Sequence, residues 1–63
     1  MDERDLTHWL DALAGAGLIG EWRWDLEVEP GEPAGVRYWI DGSRYSHDGA
    51  VKLVRDFEAA RVL

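Results

Sequence analysis

From Glu21 to Glu29 apolar and polar residues alternate without a break, the period-two pattern of a strand with one face turned inward. Trp22, Trp24, Leu26 and Val28 share one face, and Glu21, Arg23, Asp25, Glu27 and Glu29 share the other. The stretch before it has a different period. Leu6, Trp9, Leu10 and Leu13 recur at i, i+3, i+4 and i+7, which predicts an amphipathic helix from about Glu3 to Ala16. Asp2 is the expected N-cap, with Glu3 and Asp5 in the first turn, where the helix dipole favours anions. Gly17 is the expected left-handed residue that ends the helix, leaving Leu18 to pack back onto its last turn.

Beyond the first strand, Pro30-Gly31-Glu32-Pro33-Ala34-Gly35 has no periodicity and is dense in turn residues, so it reads as a loop. Val36, Tyr38 and Ile40 then alternate with Arg37, Trp39 and Asp41 as a second strand. Asp41-Gly42 is a two-residue type I′ turn signal, and Ser43-Arg44-Tyr45 is the short third strand it would lead into. Ser46 is a suitable cap for a final helix whose apolar face is Ala50, Val51, Leu53, Val54, Phe57 and Ala60. The chain then closes on Val62-Leu63. The predicted fold is α+β, in the order α-β-β-(β)-α. A small antiparallel β-meander of two to three strands carries the N- and C-terminal helices on one face.

Composition sharpens this picture in two ways. Sixty-three residues form a single small domain (1–63) with a thin core, and the absence of cysteine removes disulfides and thiolate zinc sites as supports. Four tryptophans suggest heavy packing instead, each able to bury on the order of 200 Å². On this reading Trp22, Trp24, Leu26 and Val28 belong to the core. The net charge is −6, from 13 acids against seven bases, six of the seven being arginine. Such a balance disfavours broad phosphate-backbone binding and favours a partner with a basic surface. No signal-peptide or membrane-span pattern is present, and a cysteine-free chain suits the cytoplasm.

Two partial resemblances both concern nucleic-acid binders. The run Trp9-Leu10-Asp11-Ala12-Leu13-Ala14-Gly15-Ala16-Gly17-Leu18-Ile19, followed by Val36-Arg37-Tyr38-Trp39-Ile40-Asp41-Gly42, resembles the recognition helix and wing of bacterial winged-helix regulators over about half of the chain. The helices that precede a recognition helix are missing, and Thr7, His8 and Asp11 stand where Arg or Lys would face DNA. The element order is similar to that of a double-stranded-RNA-binding domain. Where such a domain sets a lysine cluster, this chain reads Ser46-His47-Asp48-Gly49-Ala50-Val51-Lys52. Neither family is assigned.

Candidate chemistry is sparse. His8 and Asp11 share a helical face, but two ligands do not make a metal site. Ser43 and Ser46 near His47 are accounted for as a turn residue and a helix cap. Gly15-Ala16-Gly17-Leu18-Ile19-Gly20 follows a helix instead of joining a strand to one, the wrong context for dinucleotide binding. No enzyme activity, cofactor or metal is expected.

The expected function is protein binding through the outer sheet face. Trp39 would be the anchor, Arg23 and Arg37 its neighbours, and Glu21, Asp25, Glu27 and Glu29 the field that meets a basic partner. Alternate strand residues lie about 6.6 Å apart, of the order of successive phosphates, so this face would suit a nucleic-acid mimic. A small inhibitor, of the kind a phage encodes, would use it to occupy a basic nucleic-acid-binding groove. The alternatives are a minimal DNA- or RNA-binding regulator, and a structural subunit that forms homo-oligomers through an open sheet edge.

Overall fold

The computed structural model describes residues 1–60; Val62 and Leu63 lie outside them. The order is α1 (Glu3–Gly15), β1 (Trp22–Glu27), β2 (Gly35–Ile40), β3 (Ser43–Ser46) and α2 (His47–Ala59). The strands form one antiparallel sheet in the order β1-β2-β3. The α-β-β-β-α fold expected from the pattern is therefore the one observed, with the third strand present.

Local chemistry explains each boundary. Asp2 caps α1 by accepting from the Asp5 N–H at 2.8 Å. At the other end Gly17 adopts φ +76°, and Leu18 N–H reaches Leu13 C=O at 3.0 Å while Gly17 N–H reaches Ala14 C=O at 3.1 Å. This is a Schellman ending, which only a residue tolerant of positive φ closes without strain. Asp41 and Gly42 have φ of 51° and 84°, as a type I′ turn requires. Ser46 caps α2 by accepting from Gly49 N–H at 3.0 Å.

Asp41 also fastens the start of β1. Its Oδ1 accepts from Gly20 N–H at 2.8 Å and Glu21 N–H at 3.0 Å, while its own N–H donates to Glu21 C=O at 3.0 Å. The turn between β2 and β3 thereby holds the link from α1 to β1. A Cβ on Gly20 would stand 2.7 Å from that Oδ1, so the clasp needs glycine there.

Among the described residues the core is Leu6, Leu10, Leu13, Ile19, Tyr38, Ile40, Ala50 and Val54. It draws on α1, the turn after it, β2 and α2, and takes nothing from β1. Here the structure corrects the sequence reading. Trp22 is half-buried, but Trp24, Leu26 and Val28 are 59%, 56% and 69% exposed. The face is the expected one, since Trp24 pairs with Tyr38 and Leu26 with Val36. What fails is coverage. Helix α1 is pinned near the start of β1, where Trp22 Nε1 donates to Asp11 Oδ1 at 3.0 Å. Its N-terminus is pinned at the opposite corner, where His47 Nε2 donates to Met1 C=O at 2.8 Å. The helix therefore crosses the sheet diagonally, and α2 lies on β2 and β3. The far end of β1 has no helix over it. A cavity of about 220 Å³ opens between Glu3, Arg4 and Thr7 of α1 and the floor formed by Trp24, Val36 and Tyr38.

Two predictions separate core from edge. Leu10→Ala should cost about 2–5 kcal/mol, most of the roughly 3–9 kcal/mol such a chain has, whereas Leu26→Ala should cost under about 1 kcal/mol. Urea denaturation followed by far-ultraviolet circular dichroism measures both. Gly20→Ala should destabilise by about 1–2 kcal/mol by displacing the Asp41 carboxylate from its two donors. The same titration would show no loss if the clasp contributed nothing.

Candidate functional site

Strand alternation places Arg23, Asp25, Glu27, Arg37 and Trp39 together on the face away from the helices, as expected. Arg44 of β3 joins them, because the register sets it opposite Trp39. Its signal was present in the sequence: a type I′ turn at Asp41-Gly42 pairs Ile40 with Ser43, and Trp39 with Arg44 follows. Glu21 and Glu29 fall outside β1. Glu21 contributes its backbone to the Asp41 clasp, and Glu29 C=O accepts from Glu32 N–H in the following turn.

The acidic ladder is neutralised where it enters the sheet. Glu27 Oε1 accepts from Arg44 Nη1 at 2.7 Å, and Arg37 Nε stands 3.1 Å from Oε2 without hydrogen-bond alignment. Arg23 lies 4.0 Å from Asp25, and Asp25 Oδ1 turns back to accept from Leu26 N–H at 2.8 Å. Within the strands the outer face holds three arginines and two carboxylates, so it is not acidic. A Cβ on Gly35 would stand 2.8 Å from Arg37 Nη1, so the glycine makes room for that guanidinium to lie along the strand. These partly exposed pairs contribute on the order of 0.2–1 kcal/mol each.

Trp39 is half-buried, with the Arg23 guanidinium carbon 4.9 Å from its ring centroid. Stacking of this kind is worth about 0.5–1 kcal/mol on a surface and covers one face of the indole. Trp39 thus packs across the strands against Arg23 and also lines a surface hollow with Glu21, Trp22 and Gly42.

The unexplained surface lies on the other side. Trp24, Leu26 and Val28 form a row of exposed apolar side chains along β1 and just past its end, and among the described residues no strand pairs with that edge. Soluble chains usually blunt such an edge with charges, bulges or cover. Sequence reasoning missed this surface because buried and exposed apolar faces have the same alternation.

Among the described residues no group of three or more His, Cys, Asp or Glu is placed to hold a metal ion, and no helix is long and apolar enough to cross a membrane. The chain matches no protein-family model, no curated protein and no solved structure. Geometry alone must carry the functional reading.

Tyr38 has a displaced titration. Burial, and secondarily the Glu3 carboxylate, raise its pKa above the ordinary tyrosine value of 10.0. The folded state thus holds the phenol proton more tightly than the unfolded chain does. The associated stability should be fully present below about pH 10 and fall as pH rises further toward the folded-state pKa. Urea midpoints measured across the alkaline range for the native chain and Tyr38→Phe test this, since the variant should lack that component of the decline.

Proposed function

We propose that this chain is a small protein-binding module, with no chemistry of its own, that engages its partner along the open edge of β1. The observation that carries the reading is the row Trp24, Leu26 and Val28, all more than half exposed along a strand edge with an apolar neighbour in Val36. Burial of such side chains contributes about 1.5–3 kcal/mol each at full burial, enough to support association. Aromatic residues in such a row are typical anchors of protein interfaces.

This moves the binding surface from the outer face to the inner edge. The outer face offers a basic partner less than its acids suggest, because Arg37 and Arg44 hold Glu27 and Arg23 covers Trp39. A nucleic-acid-binding role draws no support from a sheet whose arginines are engaged with carboxylates and an indole. A cytoplasmic setting rests on the cysteine-free composition alone.

Site-specific photo-crosslinking tests the reading in cells that naturally produce the chain. A photoreactive residue in place of Leu26 should yield a discrete protein adduct, and one in place of the exposed Arg55 on α2 should not. Adducts from Arg55 and none from Leu26 would overturn it.

A further inference from the structure

We infer that the partner at the β1 edge is a second copy of this chain, added as an antiparallel strand about a two-fold axis through Trp24. This rests on the reading of that edge as the binding surface and names its occupant.

The backbone sets the phase. Glu21 C=O is directed to β2, where it accepts from Asp41 N–H. Antiparallel alternation then turns the backbone groups of Glu21, Arg23, Asp25 and Glu27 toward β2, and those of Trp22, Trp24 and Leu26 outward. The Leu26 N–H agrees, since the Asp25 side chain, not β2, accepts from it. The residues that offer outward hydrogen-bonding groups are thus the same ones that carry the apolar side chains.

Charge selects the register. With the axis at Trp24, Trp24 faces Trp24 and Trp22 faces Leu26 of the second copy on the helix side of the sheet. On the outer side Arg23 faces Asp25 of the second copy, twice by symmetry. Glu21 falls opposite Glu27, whose charge Arg37 and Arg44 already offset. An axis at Asp25 would set Asp25 against Asp25, one at Arg23 would set Arg23 against Arg23, and one at Leu26 would set Asp25 against Glu27. An axis at Trp22 would leave Leu26 and Val28 without a facing strand. Like charges directly opposite destabilise a strand pair, and opposite charges and aromatic pairs stabilise it. Only the Trp24 axis joins Trp22, Trp24 and Leu26 to facing apolar residues with opposite charges beside the axis, while Val28 comes opposite Gly20 of the second copy, just beyond its β1. Such self-complementarity is what an isologous interface requires and what a strand made for a foreign chain would not need. The product is a six-stranded sheet in which the edge strand becomes central.

Sedimentation equilibrium of the purified full chain tests this. The native chain should form a dimer. Arg23→Asp and Asp25→Arg should each weaken it about tenfold or more, because both symmetry-related attractions become repulsions. An equimolar mixture of the two variants should recover affinity as a one-to-one heterodimer, since opposite charges then face each other only across the mixed interface. That recovery excludes misfolding as the cause of the single-variant losses. A folded native chain that stays monomeric, or a dimer that withstands both substitutions, would overturn the inference. If the native chain is monomeric while crosslinking from Leu26 captures a different protein, the second-copy inference falls and the β1 edge remains the binding surface. If Leu26 captures nothing, both fall.

Discussion

Because α1 is fastened at two diagonal corners of a three-stranded sheet, the rest of the molecule has little freedom in what it covers. One fastening joins Asp11 to Trp22 at the start of β1; the other joins the Met1 carbonyl to His47 at the start of α2. Between them Leu6, Leu10 and Leu13 meet Tyr38, Ile40, Ala50 and Val54. The helix cannot also shield Trp24, Leu26 and Val28. A thin core and an exposed apolar edge have a common origin.

The two faces of the sheet are stabilised by different physics. The inner face relies on burial, which is strong per residue but confined to β2 and the helices. The outer face relies on Arg37 and Arg44 around Glu27 and on Arg23 over Trp39, each weak alone. These contacts tie β1 to its neighbours without drawing it into the core. An edge strand held by such contacts keeps its outward backbone groups open to an added strand, except the Leu26 N–H, which Asp25 must first release.

The candidate site shows how one pattern supports two outcomes. Alternation correctly grouped Arg23, Asp25, Glu27, Arg37 and Trp39 on one face. It carried no information on whether those charges would answer one another. Arg44 supplied the missing countercharge, and its placement follows only once the Asp41-Gly42 turn sets the β3 register. Trp39, legible as a tryptophan on a charged face, proved to be packed under Arg23.

The sequence by itself determined the element order, the caps at Asp2 and Ser46, the left-handed ending at Gly17, the turn at Asp41-Gly42 and the face of each β1 and β2 residue. These are local properties, set by backbone sterics and by residues a few positions apart. Only the tertiary structure decided which apolar face is buried and which is bare. That depends on where a helix crosses the sheet, and the contacts that aim it, Asp11 to Trp22 and Met1 to His47, join groups 11 and 46 residues apart. Parity tells Trp24 which way to point; coverage decides what it meets there.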